Sequence, residues 1–180
     1  MLLTCAALAV VHVLLHLVTL PLLTALAPLA PPAYALVAGI HSVIPFLARR
    51  ITGTPGSAIV TSAIAGLIVI ATSSSGVIAA IPVLLAGCVI DLMLWRTGPS
   101  GAREIRYFAA AVVTGVALFS VSLAVFSPAH LTPVLIAGTL FGRVAGEVIA
   151  VLVSRLLALA LARAGVSGGP RATNHNRPAS

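Results

Sequence analysis

Six long apolar runs make up most of the sequence, and short polar or glycine- and proline-containing stretches separate them. A helix needs about 20 predominantly apolar residues to cross the hydrocarbon core of a bilayer. The runs reach or approach that length, so we predict six membrane-spanning helices. Their predicted bounds, in chain order, are Leu2–Leu20, Ala33–Ala48, Ser57–Thr72, Val77–Trp95, Tyr107–Phe126 and Leu131–Leu161.

The stretches between the runs predict the connections. Gly53–Gly56 is short enough to be only a tight turn, which makes the second and third helices an antiparallel hairpin. Pro21–Pro32 stays apolar but contains several prolines, and we expect it to cap the outer face of the bundle. Residues 1–166 should form one transmembrane domain. The glycine-, asparagine- and arginine-rich residues 167–180 should form a disordered cytoplasmic tail.

Composition and charge indicate an all-α polytopic membrane protein. Hydrophobic residues make up 60% of the chain and charged residues 7%, which is too little polar surface for a soluble domain. Arginines fall in the gaps after the second, fourth and sixth runs. Basic loops resist translocation, so both termini should be cytoplasmic. The net charge of +7 is scattered over these gaps and forms no basic stripe, so we expect no nucleic-acid partner.

Small residues at a spacing of four mark two helix-packing faces. Gly138, Gly142 and Gly146 lie on the sixth run, and Ala58, Ser62 and Gly66 lie on the third. Small residues let helix backbones approach closely in lipid, where the hydrophobic effect does not drive association. Each face could be an internal seam of the bundle or an interface with another subunit.

Several polar residues fall at depths where charge is costly. Arg143 and Glu147 are four apart on the sixth run and should pair on one helix face, for structure or for function. His41 lies near mid-depth on the second run, while Tyr34 begins that run and Ser74 follows the third. With Arg143 and Glu147 as a charged floor, these five residues are our candidate binding pocket.

Two further polar features allow more than one interpretation. His12 and His16 share a face of the first helix, and such imidazoles could ligate a transition metal. No acidic or cysteine ligand lies at the same predicted depth, so hydrogen bonding between helices is favoured and no metal is predicted. We expect Asp91 to anchor its helix at the inner interface beside Arg96.

The sequence contains no catalytic constellation. GxSxG and HExxH motifs are absent, and a chain with no lysine has no Walker A lysine. We therefore expect neither an enzyme nor a cofactor. Any active transport by this chain must draw its energy from an ion gradient or from another subunit.

Three segments carry a resemblance to a known family: Pro32–Gly39, Ala48–Ala58 and Ala86–Asp91, with the closing run Leu161–Val166. Together they resemble the substrate-binding S components of energy-coupling-factor (ECF) transporters. Pro55–Ala58 after a basic turn is most similar to S components for thiamine or its hydroxymethylpyrimidine precursor. The nickel and cobalt branch begins with histidine after the initiator methionine, whereas this chain begins Met1-Leu2-Leu3.

The resemblance implies a six-helix subunit of a bacterial-type plasma membrane that captures a vitamin or related small solute from outside. A membrane coupling subunit and two ATPases would then topple it to release the solute inward. It also implies that Ala58, Ser62 and Gly66 meet the coupling subunit, and that Pro21–Pro32 covers the pocket. The alternatives are a structural or assembly protein that packs against other membrane subunits, and a metal-ion import subunit.

Overall fold

The structure is a computed structural model of the chain, and it describes residues 1–73, 76–95, 104–123 and 132–165. The regular elements of these ranges are all helical, which confirms the all-α prediction. They are α1 (Leu2–Leu29), α2 (Pro31–Ala38), a 3₁₀ turn (Gly39–Ser42), α3 (Val43–Thr52), α4 (Ser57–Thr72), α5 (Val77–Leu94), α6 (Glu104–Leu123) and α7 (Pro133–Arg163).

These elements account for the six predicted crossings. Helices α1, α5, α6 and α7, and the continuous segment Pro31–Thr52, are long and apolar enough to cross a membrane, and α4 is a shorter apolar helix. Because successive crossings alternate in direction, Met1 and Arg163 lie at the same end of the bundle. We call this end the arginine end, because Arg49, Arg50 and Arg155 also lie there.

Helix α1 is longer than predicted. It continues through Pro21 and Pro28 to Leu29, so the prediction of a proline-rich cap over Pro21–Pro32 is wrong. A proline inside a membrane helix removes one backbone hydrogen bond, and leaving the helix in lipid would strand many more backbone groups. The Thr24 hydroxyl donates a hydrogen bond to the Pro21 carbonyl oxygen at 2.9 Å within this stretch.

The second crossing is interrupted at its middle by the 3₁₀ turn. Pro45 lies four residues after His41. It has no N–H for the His41 carbonyl, and its ring crowds that carbonyl, which weakens the regular α-helical ladder at this point. The Val43 N–H bonds the Ile40 carbonyl instead, in the tighter 3₁₀ pattern. The sequence thus places His41 in irregular backbone.

Helix α7 lies against α2 and the 3₁₀ turn at backbone contact. A Cβ on Gly146 would lie 2.5 Å from the Leu36 carbonyl oxygen, and one on Gly142 would overlap the Pro32 carbonyl oxygen. At Gly138 the nearest atom would be Pro32 Cγ at 3.2 Å. The three glycines therefore set how closely α7 approaches the second crossing.

The second small-residue face is covered by its neighbours. Ala58 and Ser62 are fully buried, and a Cβ on Gly87 of α5 would lie 2.5 Å from Ser62 Oγ. Gly66 faces Ala80 and Leu84 of α5. In this packing Ala58, Ser62 and Gly66 form an internal seam and do not offer a surface to another subunit.

Most other predicted bounds agree with the structure. Helix α4 matches its predicted run at both ends, and α5 ends one residue before the predicted Trp95. The tight turn before α4 is also as predicted. Gly53 and Gly56 take φ values of 61° and 88°, a left-handed conformation that glycine adopts without steric cost. Most of the predicted gap 96–106, including Arg96, all of the predicted gap 127–130 and the tail 167–180 lie outside the described residues.

A buried ion pair joins three helices near the arginine end. Arg49 Nε of α3 lies 3.6 Å from Asp91 Oδ1 of α5, and both side chains are buried. Asp91 Oδ2 accepts a hydrogen bond from the Ile59 N–H in the first turn of α4 at 2.7 Å. Arg49 Nη2 donates to the Leu94 carbonyl at the end of α5 at 2.8 Å. Asp91 is therefore not the interface anchor that we predicted, because it pairs inside the bundle.

Arg50 forms a second junction at the arginine end. Its Nη1 and Nη2 donate to both carboxylate oxygens of Glu104 at 2.9 and 2.8 Å, and its Nε donates to Ser154 Oγ at 3.1 Å. The guanidinium carbon lies 3.8 Å from the Tyr107 ring centroid. One side chain thus links α3 to α6 and α7. A role in topology alone, which the sequence suggested, does not account for these contacts.

Replacing Arg50 by lysine should lower the free energy of unfolding by about 1–3 kcal/mol, because an ammonium cannot reproduce the bidentate, stacked geometry. Arg155→Lys is the matched control. Arg155 is about half exposed and lies 3.8 Å from the same carboxylate, so its replacement should change stability by less than about 1 kcal/mol. Thermal melts of both variants in one detergent measure the difference. Equal melting temperatures would contradict the junction role.

Candidate functional site

Three imidazoles converge in the middle of the bundle. The ring centroids of His12 and His41 are 5.6 Å apart, and those of His16 and His41 are 5.3 Å apart. His12 and His16 come from successive turns of α1, and His41 comes from the 3₁₀ turn. The spacing of four on α1 puts both imidazoles on the face that the second crossing covers.

Thr19 holds the His41 ring. Its Oγ1 lies 3.1 Å from His41 Nε2. The same oxygen lies 2.8 Å from the Leu15 carbonyl oxygen, one turn back on α1. The ring is therefore tied to α1 through a side chain that is itself tied to its own helix.

Arg143 and Glu147 face this cluster from α7. Arg143 Nη2 lies 3.6 Å from Glu147 Oε1, one helical turn apart, as the sequence predicted. Glu147 is fully buried and Arg143 is 6% exposed. Arg143 is close enough to His41 for its charge to act on the ring, and Glu147 faces Ser42, the next residue in the turn. We call His12, His16, Thr19, His41, Arg143 and Glu147 the polar site.

The polar site lies deep in the bundle. Glu147 is about 12 Å along α7 from Arg155, which belongs to the charged layer at the arginine end, and Arg143 is about 18 Å from it. Half of a hydrocarbon core is about 15 Å. The two charges therefore lie near the middle of the membrane, where an unpaired charge costs several kcal/mol.

Many polar atoms of this site are buried without a hydrogen-bond partner among the described residues. They are both ring nitrogens of His12, Nε2 of His16, Nδ1 of His41 and Nε of Arg143, and the hydroxyls of Thr114 and Thr139 are in the same state. The Glu147 carboxylate, which Arg143 and Ser42 approach, has further lone pairs to offer. Each such atom costs about 1–3 kcal/mol. The site offers unused donors and acceptors.

The arrangement is not that of a metal centre in the described part of the chain. No group of three or more histidine, cysteine, aspartate or glutamate side chains there is placed to hold a metal ion. The imidazoles can still donate to or accept from a polar molecule, and the Glu147 carboxylate can accept from one.

The structure brings together three of the five predicted pocket residues: His41, Arg143 and Glu147. Tyr34 is half-buried on α2, about 10 Å along the second crossing from His41, and its hydroxyl makes no hydrogen bond to any described residue. Ser74 lies outside the described residues.

Sequence reasoning considered His12 and His16 without placing them in the pocket, and it missed Thr19. The signal was the spacing of four that His12 and His16 share, together with a further polar residue, Thr19, one turn beyond.

An open groove lies elsewhere, where α5 and α6 reach the arginine end. It is lined by Leu92, Met93, Trp95, Arg106 and Ala109. Its walls are mostly apolar and it carries a single charge. The unused hydrogen-bonding atoms are concentrated at the polar site, so we take the polar site as the functional candidate.

Comparison of this chain with known proteins gives a match in structure alone. No family model and no curated protein matches the sequence. A solved structure described as an S-component of an ECF transporter superposes with a TM-score of 0.80, covering 90% of this chain and 84% of that chain at 23% sequence identity. The chain has the fold of an S component. The resemblance found in the sequence is confirmed at this level, while the similarity to thiamine-type members stays a prediction.

The polar site lies around the 3₁₀ turn that interrupts the second crossing. A multi-pass bundle of this kind holds its irregular backbone, here the 3₁₀ turn at His41, inside the protein where neighbouring helices cover it. In this bundle α1 and α7 cover the turn, and they also supply the other polar residues of the site. The 3₁₀ turn and the buried polar side chains therefore lie at the same place in the bundle.

Proposed function

We propose that this chain is the solute-capture subunit of an ECF importer. The observation that carries the proposal is the combination of an S-component fold with a mid-membrane polar site in which several hydrogen-bonding atoms lack partners among the described residues. Polar groups in such a position are expensive for a purely structural bundle. A bound solute that satisfies them would compensate for that cost.

In this proposal the solute is a vitamin or a related small molecule taken up across a bacterial-type plasma membrane. The helices position the site, Thr19 fixes the His41 ring, and the Arg143–Glu147 pair provides both a donor and acceptors. The chain has no nucleotide-binding motif, so the energy must come from partners. These partners are a membrane coupling subunit and two ATPases.

The coupling subunit needs a face other than the one that the sequence suggested, because Ala58, Ser62 and Gly66 are buried against α5. Exposed apolar side chains cover the outside of α1, among them Leu3, Leu14 and Val18. Lipid can cover these side chains equally well.

Purification of the tagged full-length chain from its native membrane in mild detergent should recover a coupling subunit and two ATPases in stoichiometric amounts. Mass spectrometry identifies them, and an unrelated six-helix protein with the same tag is the control. Recovery of other membrane subunits without any ATPase would support the structural or assembly alternative and overturn the importer proposal.

A further inference from the structure

The contacts of Thr19 determine which nitrogen of His41 carries the proton. A hydroxyl has one hydrogen to donate and two lone pairs. Thr19 Oγ1 lies 2.8 Å from the Leu15 carbonyl oxygen and 3.2 Å from the His16 carbonyl oxygen, so its hydrogen is directed to the backbone of α1. The oxygen is then an acceptor for His41 Nε2 at 3.1 Å. Nε2 carries the hydrogen, and Nδ1 keeps its lone pair.

The atoms left over in the polar site are mainly acceptors. His41 Nδ1 is a buried acceptor without a partner among the described residues, and the Glu147 carboxylate keeps lone pairs beyond those that Arg143 and Ser42 approach. Arg143 Nε is the unused donor on α7. His12 adds one donor and one acceptor in either neutral tautomer. A molecule that satisfies His41 Nδ1 and the Glu147 carboxylate must therefore donate hydrogen bonds to them.

The fixed charges of the site cancel. Arg143 contributes one positive charge and Glu147 one negative charge, and the pair lies 3.6 Å apart. Neutral imidazole is the form that an apolar interior favours, because a further buried charge is costly. A ligand with net charge would leave one charge uncompensated near mid-membrane, at a cost of several kcal/mol.

We propose, on the basis of the proposed function, that the polar site binds a small solute of zero net charge that donates hydrogen bonds to His41 Nδ1 and to the Glu147 carboxylate. Its donors are hydroxyl or amino groups. Thr19 acts as a positioning residue, because it sets the His41 tautomer through Nε2. The proposal disfavours cationic and anionic vitamins and metal ions as the cargo.

The tautomer of His41 can be measured by NMR without any ligand. We expect nitrogen NMR of the full chain, labelled at histidine and held in lipid nanodiscs at pH 7, to show His41 protonated at Nε2 and unprotonated at Nδ1. The signal is assigned by its loss in His41→Asn. Thr19→Val should shift His41 toward the other tautomer, and Thr19→Ser, which keeps the hydroxyl, should not. A wild-type ring protonated at Nδ1, or on both nitrogens, would overturn the assignment.

The ligand class is tested with matched probes. Equilibrium dialysis against the nanodisc protein compares hydroxymethylpyrimidine with thiamine, pyridoxine with pyridoxine 5′-phosphate, and nicotinamide with nicotinate, with Zn²⁺ as a separate arm. At least one probe of zero net charge should bind in preference to its charged counterpart. Preferred binding of charged probes or Zn²⁺, or no binding by any probe of zero net charge, would reject this ligand class.

Variants at His41 test the contact itself. His41→Leu removes the acceptor and should weaken binding of the preferred probe about tenfold, the equivalent of one hydrogen bond. His41→Asn places a carbonyl oxygen near the Nδ1 position and should stay within about threefold of wild type. Equal affinities for all three proteins would exclude the contact. Failure to recover ATPases would instead remove the importer role and leave the tautomer result unaffected.

Discussion

Asp91→Ala is expected to destabilise the chain more than any other replacement of a charged residue at the arginine end, by about 3–5 kcal/mol. The change leaves Arg49 buried without its carboxylate and removes the acceptor for the Ile59 N–H, which Asp91 binds at 2.7 Å. The carboxylate also sits at the start of α4, where the helix dipole favours a negative charge. Unfolding titrations in mixed micelles measure the loss.

Two further variants separate charge from hydrogen bonding. Asp91→Asn keeps an oxygen for the Ile59 N–H and should cost less than alanine. The double variant Arg49→Ala/Asp91→Ala should be more stable than the sum of the single changes predicts, because it removes both buried charges together. If Asp91→Ala changed stability by less than about 0.5 kcal/mol, the pair would have no role in joining α3, α4 and α5.

Gly142→Ala is expected to disrupt the contact between α7 and the second crossing. The added Cβ would overlap the Pro32 carbonyl oxygen, which belongs to the backbone and cannot rotate away. Overpacking of this kind costs about 1–3 kcal/mol, and the replacement of a helical glycine by alanine offsets about 1 kcal/mol of that cost. Because α7 carries Arg143 and Glu147, displacement of this helix should also weaken solute retention.

Gly66→Ala is the matched control for this experiment. Its Cβ would lie 3.5 Å from the nearest atom, a side-chain carbon of Leu84, which is ordinary contact. We expect this variant to melt at or above the wild-type temperature. Comparable losses at Gly142 and Gly66 would show that glycine itself, and not the close approach at Pro32, is required.

The sequence predicted the crossings well because lipid imposes a simple rule. A run of apolar residues bounded by glycine or polar residues must be helical, and α4 between Gly56 and Ser73 follows that rule at both ends. The prediction was wrong at Pro21, because it used the rule that proline ends a helix, which holds for helices of soluble proteins. In a membrane the cost of exposing backbone outweighs the cost of one missing hydrogen bond.

The site was predicted only in part, for a different reason. The Arg143–Glu147 pair lies on one helix, so its spacing was sufficient to predict it. The contact of His41 with His12 and His16 depends on which helices are neighbours, and residue spacing along the chain does not predict which helices pack together. The same limit applies to Asp91, whose true partner Arg49 is 42 positions away in the chain.

The unequal lengths of the helices also affect the surrounding membrane. Helix α4 has 16 residues and rises only about 24 Å, whereas α7 has 31 and rises about 46 Å. A bilayer core of about 30 Å cannot match both. Helix α7 can tilt or extend past the membrane surface, but tilting would shorten the reach of α4, so the lipid beside α4 must thin, at a cost of a fraction of a kcal/mol for each ångström of mismatch. The chain thus imposes a thinner bilayer along the side of the bundle that α4 occupies, before any other protein touches it.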